Sequence, residues 1–307
     1  MSVDELDLRL LEELEKDSRQ SVQTLAKRLG VNRTTAGYRL NRLTERGILT
    51  IACIANTDLL GYQIILTVGM TASPGKAEAV ADKLLPLPEV KVVSLTGGRY
   101  GIMAWILLRD RPALVRLVCE TLAEIPDIAS IDIMYSIKWV KDSWTYFNPQ
   151  LAITDRRPME QPGAIDLSII KAMQRDPRQT AAQLARNLGC GTSAVKARLD
   201  SLLCGGFIRF VSIIDSAKLG YDIGVIILVK SRPDRVSAVA ETVSMQKSAR
   251  HVSLIAGPWQ ILVAAVFQNT EHMHHYLASK LTAIPGVLEF DVIHLVKTLK
   301  FLMRFLE

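Results

Sequence analysis

The chain repeats itself, and that repeat limits what it can fold into more than any other feature. At an offset of 159 residues, Asp7-Leu8 returns as Asp166-Leu167, Leu25-Ala26 as Leu184-Ala185, and Leu29-Gly30 as Leu188-Gly189. Arg39-Leu40, Leu43 and Gly47 return as Arg198-Leu199, Leu202 and Gly206, and Leu60-Gly61-Tyr62 as Leu219-Gly220-Tyr221. Ile125-Pro126 and Lys138 reappear at Ile284-Pro285 and Lys297 without a gap. Residues 6–62 share 17 identities over 57 positions with residues 165–221, so the chain is a tandem duplication. Whatever one copy folds into, the other repeats.

Within the first copy, Asp4 to Lys16 places Leu6, Leu10, Leu11 and Leu14 on one helical face. Leu25, Ala26 and Leu29 make a second apolar edge, which Gly30-Val31-Asn32 interrupts. Ala36, Leu40 and Leu43 restart the period and Gly47 stops it. Two short helices around a glycine turn, on top of a first helix, predict a helix-turn-helix, with Ile48 to Ile51 as a short wing strand. Arg19 to Thr50 holds seven basic residues against one acid, Glu45.

After Gly61-Tyr62 the texture changes. Gln63–Met70 is a β-type run, Pro74–Leu85 helical, Val90–Leu95 and Ile102–Leu108 strands around Gly97-Gly98, Pro112–Leu122 helical and Ile128–Ile137 a last strand. The order βαββαβ predicts a ferredoxin-like module. The expected fold class is therefore α+β, with two tandem copies of a winged helix-turn-helix and a ferredoxin-like (RAM-type) domain. The boundaries read as 1–60, 61–147, a linker at 148–163 with three prolines, 164–219 and 220–307, with Thr298 to Glu307 as a short packed tail.

Composition narrows the function. A net charge of +6 and a pI near 9.1 lean weakly toward a polyanionic partner. The N-terminal segment is acidic and periodic, unlike a secretory signal, and no apolar run approaches the roughly 20 residues of a membrane span. Cys53, Cys119, Cys190 and Cys204 form no CxxC pair, and a reducing cytoplasm is their simplest home.

A helix-turn-helix followed by βαββαβ resembles the Lrp/AsnC family of transcription regulators. The residues that carry the resemblance are the Leu-Ala-x-x-Leu-Gly turn, the Arg-Leu-x-x-Leu-x-x-x-Gly helix end and the Leu-Gly-Tyr entry to the sheet, present in both copies. The resemblance implies symmetric pairs of heads on double-stranded DNA, modules paired through their sheets, small effectors such as amino acids, and homo-oligomers. A tandem chain then looks like a covalent pseudo-dimer open to further assembly.

On the second helix of the motif, Arg33, Thr35 and Tyr38 are expected near bases. Arg28, Arg42 and Arg46 are expected to hold the DNA backbone, with Thr34 on the same face. The second copy is poorer, offering Thr192, Ser193 and Lys196, which predicts unequal half-site recognition led by the first copy. Arg39 and Arg198 recur together with Asp7 and Asp166, and a scaffold ion pair explains them better than base reading does. The family's sheet turn usually reads Gly-x-Tyr-Asp, with the acid near the effector. Here it reads Gly98-Arg99-Tyr100-Gly101 and Gly257-Pro258-Trp259-Gln260, without the acid. Thr96, Gly98, Arg99, Tyr100 and Gly101 are therefore expected to offer an anion cradle, with Gly257, Trp259 and Gln260 as counterparts, although a packed strand turn is an equal reading.

No catalytic residue and no cofactor are expected. His272, His274 and His275 invite a metal reading, but only His272 and His275 have helical ligand spacing, so a surface helix is preferred. Two alternatives stay open. Sirohaem decarboxylases resemble this family in fold, but their His-Asn-Tyr strand segment is here Val93-Ser94-Leu95 and Val252-Ser253-Leu254. The other alternative is a ligand sensor with degenerate DNA-binding heads.

Overall fold

The computed structural model describes residues 3–142 and 162–301. The first head has helices α1 (Glu5–Lys16), α2 (Val22–Leu29) and α3 (Arg33–Glu45) and strand β1 (Leu49–Ala55). The first sheet module follows as β2 (Ile64–Ala72), α4 (Ala77–Leu84), β3 (Val90–Gly97), β4 (Ile102–Leu108), α5 (Arg111–Arg116) and β5 (Ile128–Asp142). The second head is α6 (Ala164–Arg175), α7 (Ala181–Leu188), α8 (Thr192–Cys204) and β6 (Ile208–Ile214). The second module is β7 (Ile223–Ser231), α9 (Val236–Ser244), β8 (Ala249–Ala256), β9 (Ile261–Phe267), α10 (Thr270–His275) and β10 (Val287–Phe301). This is the α+β tandem architecture expected from the repeat.

These elements group by type, not by copy. The two heads make one compact unit and the two sheet modules another. In the head unit, each helix of the first copy starts on a side-chain cap: Asp4 accepts from the Asp7 N–H, Ser21 from Thr24 and Asn32 from Thr35. Gly30 ends α2 at φ 72°, a left-handed conformation that glycine adopts at least cost. Leu10, Leu11, Leu14, Leu25, Leu29, Leu40 and Leu43 close over one core with Ile48 and Leu49.

The expected four-residue wing is longer, running to Ala55, because it pairs antiparallel with β6 of the other head from Leu49↔Ile214 to Ala55↔Ile208. Reciprocal bonds flank this ribbon: the Asn56 N–H donates to the Phe207 carbonyl, and the Asp215 N–H to that of Ile48. Ser212 Oγ donates to the Leu14 carbonyl at 2.8 Å, and Lys218 Nζ to that of Arg46 at 2.6 Å.

In the sheet unit each module has the ferredoxin-like order, β5-β2-β4-β3 and β10-β7-β9-β8. The edges then pair with each other, β5 with β8 and β10 with β3, closing an eight-stranded barrel. Closure leaves no exposed strand edge in this unit, the usual protection against stray pairing. It also explains why β5 runs five residues beyond the expected Ile137: its second half pairs with β8 of the other copy. One face of each sheet packs on its own helices, Leu66, Val68 and Met70 against Val80 and Leu84, for instance. The other face turns inward, where Met103, Met134, Leu228, Ile255, Leu262 and Ile293 meet.

Three other expectations shift. The helix expected from Pro74 begins at Ala77, because Gly75 turns the chain at φ 77°. The helix expected over 112–122 is α-helical only to Arg116 and continues as a π turn over Leu117–Thr121. Tyr276–Leu281 repeats that turn in the second copy. The linker at 148–161 and the tail beyond Phe301 lie outside the described residues, whereas Thr298–Phe301 belong to β10.

Candidate nucleic-acid interface and effector modules

Helix α3 buries Ala36, Leu40 and Leu43. That orientation leaves Arg33, Thr34 and Tyr38 exposed, Tyr38 at 66%, with Thr35 half-buried at the cap. Arg33, Arg46 and Lys27 are exposed and have no acidic partner among the described residues. Arg28 is exposed but reaches Glu13 at 2.9 Å.

Two arginines of the same segment are occupied elsewhere. Arg39 donates to Asp7 at 2.9 Å and to Asp4 at 2.6 Å, and Arg42 closes on the second oxygen of Asp7. The Asp7 side chain is fully buried, so α1 carries a carboxylate that Arg39 and Arg42 of α3 must neutralise. Arg42, expected at the DNA backbone, has its guanidinium engaged with Asp7 in this structure. The Arg39 bond also holds the Asp4 carboxyl below its usual pKa. Arg19, counted with the basic residues, lies over the Phe210 ring at 4.5 Å and donates to the Gln179 carbonyl at 2.8 Å.

Helix α8 presents a barer face. Thr192, Ser193 and Lys196 are exposed, and Arg198 pairs with Asp166 at 3.0 Å. Gly191 precedes α8 without the side-chain cap that Asn32 gives α3.

The sheet turns, where a cradle and a packed strand turn were equal expectations, carry their own hydrogen bonds. The Gly101 N–H donates to the Met70 carbonyl, the Thr96 N–H to that of Gly101, and Thr96 Oγ1 to that of Tyr100. Gly98 has φ 119°, and an added Cβ would stand 3.1 Å from the Val292 carbonyl; Gly257, at φ 149°, stands in the same relation to Ile133 at 2.9 Å. Each turn therefore wedges against the long strand of the other copy.

Arg99 is neutralised by Asp291 at 2.6 Å and lies against Trp259. Tyr100 donates to Asp132 at 2.6 Å. Burial, and then that carboxylate, hold the Tyr100 phenol above its usual pKa, so it remains a donor. Gln260 is held by the Ser231 N–H. The turn's carboxylates were missed in the sequence because they come from neighbouring strands. Asp132 and Asp291 are themselves a 159-residue pair, the one signal that could have exposed them.

His274 and His275 are exposed, but His272 is half-buried with its ring edge-on to Phe267 at 5.5 Å, so this helix face is only partly a surface. No group of three metal-ligating side chains occurs among the described residues.

Family comparison fits this layout. A winged helix-turn-helix DNA-binding model matches residues 3–50, and an AsnC-type helix-turn-helix domain residues 164–203. The Lrp/AsnC ligand binding domain matches twice, at 65–145 and 224–304, together more than half of the chain. An uncharacterized HTH-type transcriptional regulator of Pyrococcus abyssi is 32% identical over 149 residues, 48% of this chain and 92% of that protein. The HTH-type transcriptional regulator Ptr1 of Methanocaldococcus jannaschii is 27% identical over 141 residues, 46% of this chain and 95% of its own. Among solved structures, the siroheme decarboxylase NirDL overlays with a TM-score of 0.66 at 15% identity, covering 97% of this chain and 93% of that one, a likeness of fold alone. No described helix is long and apolar enough to cross a membrane. With both head motifs and both ligand-binding modules matched, the chain belongs to the Lrp/AsnC family of helix-turn-helix transcriptional regulators.

Proposed function

We propose that the protein is a sequence-specific regulator of transcription in the cytoplasm, acting on double-stranded DNA as a covalent pseudo-dimer. Its domains are those drawn above, at 1–60, 61–147, 164–219 and 220–307. The first head dominates the contact. The observation that carries this reading is the exposed face of α3 with Arg33, Thr34 and Tyr38, together with exposed Arg46 and Lys27, none of these basic residues having an acidic partner among the described residues. Arginine forks and hydroxyls of this kind suit phosphates and base edges in a major groove. Thr35 and Arg28 supplement that face, while Thr192, Ser193 and Lys196 give the second head a weaker grip.

Control by a small molecule, an amino acid or other metabolite, is assigned to the sheet modules, with Arg99 and its Asp291 partner at one turn and Trp259 and Gln260 at the other. Further assembly of copies is proposed through the sheet modules. The relatives named above are regulators, and an NirDL-like fold at 15% identity brings no activity with it. Thus we read the chain as a non-enzyme without a cofactor. Selecting genomic fragments with the purified full chain at stated salt tests the proposal: a recurrent motif is expected, and uniform recovery of all fragments would reject sequence-specific binding.

A further inference from the structure

The ribbon that joins the two heads pairs like with like. In its register from Leu49↔Ile214 to Ala55↔Ile208, Ala52 faces Val211, its own repeat counterpart, so a local twofold axis runs between them. That axis relates α3 to α8. Both helices are 13 residues long, and their buried edges are repeat equivalents, Ala36, Leu40 and Leu43 on one and Val195, Leu199 and Leu202 on the other. Heads related in this way meet two half-sites of a duplex, one recognition helix to each.

Opposite each buried edge runs a ridge at i, i+4, i+7 and i+11. On α3 it reads Thr34, Tyr38, Asn41 and Glu45, and on α8 Ser193, Ala197, Asp200 and Cys204, every one of them exposed. Glu45 and Cys204 end their helices, away from the N-terminal turns that contact bases. Of the remaining pairs, Thr34 and Ser193 offer the same hydroxyl, and Tyr38 and Ala197 differ in reach. Asn41 and Asp200 share reach and nearly share shape, yet differ in one arm. The amide carries a donor and an acceptor, the ionised carboxylate acceptors alone. Neither side chain has a hydrogen-bond or ion-pair partner among the described residues.

We infer that Asn41 and Asp200 are a specificity pair that makes the two half-sites differ in sequence, Asn41 selecting adenine in one and Asp200 selecting cytosine at the matching position of the other. The reason lies in the donors. An asparagine amide meets adenine with two bonds, accepting from N6 and donating to N7. An aspartate only accepts, and in the major groove cytosine presents the N4 donor alone. A carboxylate facing a phosphate is repelled, so a base edge is the place on a bound duplex that suits Asp200. A palindromic site would then satisfy one head and not the other. The unequal grip proposed above becomes an unequal message, which gives the operator a direction. This inference rests on the DNA-binding reading of the heads and adds the bases that they select.

The test selects sites for the full chain from a random duplex library at fixed salt. The enriched motif is expected to break twofold symmetry at one matched pair of positions, with adenine in one half and cytosine in the other. Asp200→Asn should turn that cytosine into adenine and restore the symmetry there, and Asn41→Asp should turn the adenine into cytosine. Both side chains are exposed, so the unfolding midpoint of each variant should stay at the wild-type value. A second measurement needs no variant to fold. On the wild-type chain, N4-methylcytosine at the selected position should weaken binding about tenfold, whereas the same base in flanking DNA should have no effect. The same base at both matched positions, a motif that Asp200→Asn leaves unmoved, or a silent N4-methyl group overturns the inference and leaves the DNA-binding reading standing. A library in which no motif is enriched overturns both.

Discussion

At the scale of single residues, Asp7 decides which arginines of the first head are available. Its buried carboxylate holds Arg39 and Arg42 together, so truncating it strips Arg42 of its acid and leaves Arg39 with Asp4 alone. We expect Asp7→Ala to destabilise the protein by about 3 kcal/mol, as loss of a buried ion-pair partner does, measured by denaturant unfolding. An unchanged midpoint would show that the pair is idle. Arg33→Ala and Arg46→Ala, by contrast, should leave stability alone, weaken DNA binding, and each flatten the salt dependence by about one counterion. Anisotropy titrations over several salt concentrations check this, and Lys196→Ala should lose less than either. Arg42→Ala would mix the two effects, which makes it a poor probe of DNA contact. None of this was legible in the sequence beyond the Asp7–Arg39 pairing, because Arg39 and Arg42 differ only in which way α3 faces α1. The helical period of Leu40 and Leu43 places both arginines off the core. It does not say that a carboxylate will meet them there.

At the scale of elements, the barrel seams are fastened by lysines that cross from one copy to the other. Lys141 on β5 donates to the Gln246 carbonyl beyond α9, and Lys300 on β10 to the Leu85 and Leu87 carbonyls beyond α4. These are reciprocal positions, and each cation serves the carbonyl-rich end of a helix in the opposite module. Burial, reinforced by Arg250, brings the Lys141 ammonium down to about 8. The unfolded chain therefore holds more protons than the folded one between about pH 8 and the ordinary lysine value of 10.5. Stability contributed through Lys141 rises with pH across that window, and the cost of burying the charge is fully present below it. Lys141→Met should remove that rise. The comparison is the difference in unfolding free energy between wild type and variant, since Tyr276, pushed up to about 12 by burial, acts in the opposite direction above pH 10 in both proteins. A difference that stays flat from pH 8 to 10.5 would refute the assignment.

The elements themselves were largely readable. Apolar patterning placed the five helices and five strands of the first copy near their observed positions, the repeat carried them to the second, and the glycine at 30 marked the turn of the motif. What failed were lengths set by the other copy: the wing stretched to meet β6 and β5 stretched to meet β8. Hydropathy within one copy carries no record of a partner strand supplied by the next. The same reason hid Asp291 from a reading of the first turn, whereas Asp132 was hidden because it comes from β5, a strand distant in sequence within the same copy.

At the scale of the whole molecule, duplication makes association intramolecular. A chain cut to residues 1–147 would expose β3 and β5 as unpaired edges and β1 as a lone ribbon strand. Such edges seek a partner. The fragment should therefore elute as a dimer or larger in gel filtration, and a stable monomer would contradict the barrel closure described here. Neither unit of the joined chain needs a second copy to complete its described sheet.

The wedge of each sheet turn into the other copy's long strand has one more consequence. Where two identical subunits meet, every substitution enters both halves at once, and a contact improves only if the change suits both sides. In this chain Arg99 faces Asp291, whereas Pro258 occupies the matching place in the second turn. Joining the halves lets each side vary alone, so a protein built on a twofold plan can acquire a front and a back.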